Sequence, residues 1–203
     1  MKKLRIKIGP STLKIPDEYK DEIVGYPVSN EINLINRKLS DLAIVRIPSY
    51  ETVNVRIFPT VNLPSRLSRY PLGISNKNAL IVGFGFTQKG TESKQIYPSN
   101  AQFKYGKFVI DSSYDFLKST EAIYGENFSM SQSTISDLFS ASSNFAQICQ
   151  GDSGGPVFVK TNDGRMTQVG VTSIVDKYCE LKYSVFTDLR PHLHWIRKIT
   201  MEK

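Results

Sequence analysis

The chain has 203 residues, 40% of them hydrophobic and 22% charged, proportions ordinary for a globular protein able to bury a core. Its 26 Lys and Arg against 19 Asp and Glu leave a net charge of +7, yet outside the first seven residues the basic side chains are scattered. No helix-turn-helix, zinc-finger or aromatic-basic RNA motif accompanies them, so no nucleic-acid partner is expected. The longest apolar run, residues 79–86, is interrupted by Gly83 and Gly85 and falls far short of a membrane span, and two histidines with two cysteines are too few for a metal cage. Neither a membrane, a metal nor a cofactor is expected.

In chain order, residues 1–9 alternate basic with apolar side chains and lack the continuous apolar stretch of a signal peptide. Alternating or β-branched runs predict strands over residues 4–8, 42–47, 53–58, 79–84, 103–110, 156–160, 166–175 and 183–188. Turn residues separate them at Pro48-Ser49, Pro59, Asn76-Lys77-Asn78 and Thr161-Asn162-Asp163-Gly164. The stretch 59–71, with its Pro, Ser and Arg, reads as a connector between two β units. Helical spacing is confined to residues 112–122, to 133–139, and to the segment after Asp188, where Leu189, Leu193, Ile196 and Ile199 share a face. The pattern is all-β, without repeats.

One motif stands out chemically: Cys149-Gln150-Gly151-Asp152-Ser153-Gly154-Gly155-Pro156-Val157. Glycines on both sides of a serine permit backbone angles that other residues avoid, and they remove bulk so that a substrate backbone can approach. Two amides, those of Gly151 and Ser153, are then available to hold a developing oxyanion beside the Ser153 hydroxyl. A Gly-rich β-turn without chemistry is the alternative.

With this run, the strand Ser40-Asp41-Leu42-Ala43-Ile44-Val45, the 79–86 strand and Trp195-Ile196 near the C-terminus, the chain resembles the trypsin/chymotrypsin-like serine proteases. The resemblance extends from Leu4 onward, with Val61-Asn62-Leu63-Pro64 similar to that family's connecting segment and residues 169–175 to its substrate-pairing strand. It implies two six-stranded antiparallel barrels with the active site between them. Residues 1–64 would be the remainder of the first barrel and the connector, and 65–203 the second barrel with a short C-terminal helix. Carried over, Ser153 is the nucleophile, Asp41 the acid that orients a histidine, and Gly151 with Ser153 the oxyanion amides. Cys149 and Cys179 match a family disulfide, which implies an oxidising, extracellular compartment. Ala79 and Val159 stand where a second bridge has lost both halves, and Ser140 where another cysteine would be. Gln147, Ser173, Val175 and Ser184 fall at substrate-binding positions. A neutral Gln147 at the pocket base disfavours Lys or Arg substrates, and Val175 and Ser184 narrow the pocket toward small side chains. Protein or peptide substrates and protein inhibitors are the implied partners.

The triad is incomplete in these residues, because the family's base precedes the aspartate and no histidine precedes Asp41. His192 and His194 flank the C-terminal helix, where surface or helix-dipole roles are expected. Residues 3–9 resemble the strand that follows the histidine segment, so a truncated form of a secreted endopeptidase is one expectation, and a non-catalytic homologue that binds proteins is another. A basic surface-binding module, the third, rests on net charge alone. Truncation would leave the first barrel with an open, association-prone edge and Asp152 without a charged partner, expected as a buried unpaired carboxylate.

Overall fold

A computed structural model describes residues 6–8, 11–13, 25–27, 41–45, 61–64, 74, 76–85, 103–111, 137–162, 164–176 and 179–201. In chain order these form β1 (Ile6–Ile8), β2 (Ser11–Leu13), β3 (Gly25–Pro27), β4 (Ala43–Val45), β5 (Asn78–Gly83), β6 (Lys104–Ile110), β7 (Leu138–Ser142), β8 (Pro156–Lys160), β9 (Met166–Ile174), β10 (Tyr183–Asp188) and helix α1 (Leu193–Met201). The strand runs expected at 79–84, 103–110, 156–160, 166–175 and 183–188 are present to within a residue at each end. Those at 4–8 and 42–47 are represented by β1 and β4, and the expected strand at 53–58 and helix at 112–122 lie outside the described residues.

Strands β5 to β10 close into a six-stranded antiparallel barrel in the order β10-β7-β6-β5-β8-β9. Alternation along β5, β6 and β8 sends Ala79, Ile81, Phe108, Ile110, Val157 and Val159 into one buried core, which Phe186 of β10 joins. Phe139 stacks on Phe186 with ring centroids 5.3 Å apart. Ala79 and Val159 are direct partners across β5 and β8, consistent with their expected positions at a lost bridge. The first part of the chain supplies two ribbons, β1-β2 and β3-β4. Among the described residues there is no second closed barrel.

The helix expected over 133–139 is overturned where it can be seen, since Leu138 and Phe139 belong to β7. β7 pairs with both β6 and β10, so its backbone groups are satisfied by neighbours on each side and its local preference is overridden. Its serines also suit the strand: Ser140 and Ser142 each donate a hydroxyl hydrogen bond of 2.7 Å to the carboxylate of Asp111. A run of Ser and Ala carries no alternation for a sequence pattern to detect.

Two devices attach earlier segments to the barrel. The connector residue Asn62 bridges in parallel to Thr167 of β9, accepts from the Gln168 amide at 2.9 Å and donates to the Met166 carbonyl at 3.3 Å. Helix α1 buries Leu193 and Ile196 with Leu189 against Leu42, Ile44 and Val171. Ile199, placed on the same face by its spacing, is only partly buried. The same packing therefore brings residue 41 to the β9 side of the barrel.

Candidate active site

Between β7 and β8 the chain makes a compact reversal. Gly151 and Gly154 take φ values of 96° and 83°, in the region that glycine tolerates without strain. The Asp152 amide donates to the Cys149 carbonyl at 3.1 Å, and the Gly155 amide to the Asp152 carbonyl at 2.9 Å. Ser153, at the crest, is exposed. The Gly151 and Ser153 amides donate to no acceptor among the described residues. The turn is tied to β9 through a reciprocal pair, Gly154 amide to Thr172 carbonyl at 2.9 Å and Thr172 amide to Gly155 carbonyl at 2.8 Å.

The next residue along β9 is Ser173, whose hydroxyl donates to Asp41 Oδ2 at 2.9 Å. Thr187 of β10 donates its hydroxyl to the Asp41 carbonyl at 3.1 Å. Residues 132 positions apart in sequence are thereby joined, and the Ser153 turn and Asp41 hang from adjacent residues of one strand. The sequence placed Ser173 only among substrate-binding residues. Its bond to Asp41 is an additional feature, because neither spacing nor composition reveals a contact between two parts of the chain so far apart.

The Asp152 carboxylate, expected to lack a charged partner, is held by backbone amides. Its Oδ1 accepts from the Gly85 amide at 2.7 Å and its Oδ2 from the Cys149 amide at 3.0 Å. Amide bonds to a carboxylate are each of order 1.5–3 kcal/mol, so polar satisfaction comes from the backbone itself. Room for the carboxylate comes from two glycines: a Cβ on Gly83 would collide with Asp152 Oδ1, and one on Gly85 would lie 2.6 Å from its Cγ. These two were read only as interruptions of an apolar strand, although Gly83-Phe84-Gly85 at a strand end is a signal for close approach of another group.

Beside Asp152 lies an open cavity of about 540 Å³, lined by residues of β5 and β6 and by residues 143–149. Of the four expected substrate-binding residues only Gln147 lines it; Ser173, Val175 and Ser184 lie elsewhere. Gln147 is exposed and donates from Nε2 to the Glu180 carbonyl at 3.2 Å. Val175 is half-buried against the barrel core, and Ser184 is buried on β10 opposite Ala141. Cys149 and Cys179 form a disulfide, both sulfur residues being buried. Asp176 carries the turn that leads to Glu180, accepting from the Glu180 amide at 2.8 Å.

His192 departs from the expected surface role. It is 8% exposed, and its Nε2 faces Asp137 Oδ2 at 3.9 Å, beyond hydrogen-bond reach. The turn preceding α1 folds it inward, its amide donating to the Leu189 carbonyl at 3.1 Å.

A family model described as Trypsin matches residues 16–196. The chain belongs to the trypsin family. Membership accords with the closed antiparallel barrel, the C-terminal helix and the disulfide, and it supports a serine-protease-like function, with proteins or peptides as the substrate class the family suggests. No described helix is long and apolar enough to cross a membrane.

Proposed function

We propose that the chain carries the nucleophile side of a serine endopeptidase site. Ser153 Oγ attacks the scissile carbonyl, the carbon–nitrogen bond breaks to release the amine, and water then hydrolyses the acyl-Ser153 ester. Gly151 and Ser153 donate their amides to the oxyanion. Asp41 accepts from the N–H of the general base and holds its ring in the productive tautomer. The observation that carries this reading is the linkage of the Ser153 turn and Asp41 through Thr172 and Ser173 of β9. A decorative Gly-rich turn gives no reason for a distant carboxylate to be anchored one residue away.

The base itself is not supplied by residues 1–40, which contain no histidine, and His192 is buried against Asp137. The 203 residues alone are therefore expected to hydrolyse peptides negligibly, since loss of a triad member costs several orders of magnitude. The same absence favours a second reading, a non-catalytic homologue that binds proteins. Gly151, Asp152, Ser153 and Asp41 together favour the first. Residues 1–64 would be the remainder of an incomplete first barrel with the connector and 65–203 the second barrel with the C-terminal helix, and the disulfide supports an extracellular setting. In the cavity beside Asp152, the uncharged Gln147 offers no counter-charge and so supports apolar substrates over Lys or Arg, while Val175 and Ser184 lie outside that cavity.

A fluorophosphonate probe tests the assignment. The 203-residue chain should label negligibly, and addition of a histidine-bearing upstream segment should produce labelling that Ser153→Ala abolishes. Strong labelling of Ser153 without that segment would overturn the missing-base argument. Labelling that survives Ser153→Ala would overturn the nucleophile assignment.

A further inference from the structure

We propose that Lys104 is a positioning residue for the nucleophile turn, supplying the positive charge that holds Asp152 in its cradle. The inference rests on Ser153 being the nucleophile, but its test requires no activity. The cavity beside the turn carries three charged side chains, Asp152, Lys104 and Lys182, among apolar walls that include Ile81, Phe108 and Ile148. Two amide donors satisfy the Asp152 oxygens without cancelling the charge, and the half-buried setting makes that charge costly unless a cation shares the cavity. Lys104 is placed for this by register, because it opens β6 directly opposite Gly83, one of the two glycines against the carboxylate. Its Nζ donates to the Gly85 carbonyl at 3.4 Å, while the amide of the same Gly85 donates to Asp152 Oδ1 at 2.7 Å. One peptide residue thus connects ammonium and carboxylate. Lys182 is directed elsewhere, its Nζ lying 4.9 Å from the centroid of the Tyr183 ring.

The consequence reaches Ser153 through the loop. Asp152 Oδ2 holds the Cys149 amide, and the Asp152 amide returns to the Cys149 carbonyl, so a carboxylate fixed from the β6 side fixes the three residues that precede Ser153. Field strength across a partly wet cavity is intermediate between water and protein interior. An effect on local opening of about tenfold follows, smaller than that of a direct buried ion pair.

Amide hydrogen exchange at Gly85 and Cys149, the two donors to the carboxylate, reads this directly. Lys104→Met keeps the stem and removes the charge, and should accelerate exchange at both amides about tenfold, with amides of β8 unchanged. Lys104→Arg should restore protection, Lys182→Met should leave it unaltered, and Lys104→Met should add nothing in an Asp152→Asn background. If Lys104→Met does not fold, the wild-type chain still decides: exchange at Gly85 and Cys149 should quicken with added salt while that of β8 does not. Unchanged exchange in the Met variant, failure of Arg to rescue, persistence of the effect in the Asp152→Asn background, or salt-independent exchange would each overturn the proposal.

Discussion

Gly85→Ala perturbs the Asp152 cradle where a new Cβ would meet the carboxyl carbon and both of its oxygens. The new Cβ would lie 2.6 Å from Asp152 Cγ and Oδ2 and 2.7 Å from Oδ1, whereas ordinary contacts begin near 3.4 Å. The backbone has little freedom to retreat, because two residues earlier Gly83 is paired to Lys104 in the barrel. The carboxylate must therefore swing away, giving up the Gly85 and Cys149 amides. Two charge-assisted bonds at roughly 1.5–3 kcal/mol each and overpacking of roughly 1–3 kcal/mol set the upper range. Asp152 is only partly buried, so water returns some of this, and about 3 kcal/mol should remain. That is a large fraction of the roughly 5–15 kcal/mol by which domains are stable. Urea denaturation followed by Trp195 fluorescence measures it. In an Asp152→Ala background the clash partner is gone, and Gly85→Ala should then cost less than about 1 kcal/mol. Equal losses in the two backgrounds would refute the cradle.

Cys149→Ala combined with Cys179→Ala opens a loop with 30 residues of sequence separation. Chain entropy assigns it about 3.5 kcal/mol, and a urea midpoint unchanged from the oxidised wild type would contradict that value. With a histidine-bearing segment supplied, a peptide library should be cut after apolar residues in preference to Lys or Arg, and a profile dominated by Lys and Arg would contradict the role given to the uncharged Gln147.

Strands β5, β6, β8, β9 and β10 were readable because their runs are alternating or rich in β-branched and aromatic residues and turn residues punctuate them. β7 was not. Its Leu-Phe-Ser-Ala-Ser is buried at four of five positions, so no alternation survives, and the hydroxyls that make a strand tolerable there depend on Asp111, 29 and 31 residues away. His192 was misplaced for a related reason. A polar residue before a helix reads as exposed, while the turn at Leu189 folds this one under the helix. The nucleophile motif was visible because its geometry is local, with two positive-φ glycines inside five residues. What supports the motif is nonlocal and could not be seen: Gly83 and Gly85 act on a carboxylate 67 to 69 positions later.

The site divides along the same line between local and distant interactions. Everything that shapes the Ser153 turn, namely the disulfide, the Asp152 cradle and the bonds to Thr172, belongs to the closed barrel and is stabilised as that barrel is. Asp41 belongs to a segment outside it, held by Ser173, by Thr187 and by the packing of Leu42 and Ile44 against α1. The two hydrogen bonds to Asp41 come from short hydroxyl side chains on adjacent antiparallel strands, whose positions follow barrel closure and tolerate little displacement. Asp41 is thus positioned by the barrel that carries Ser153. A general base that completed the proposed triad would meet an acid and a nucleophile turn that hang from adjacent residues, Ser173 and Thr172, of one strand.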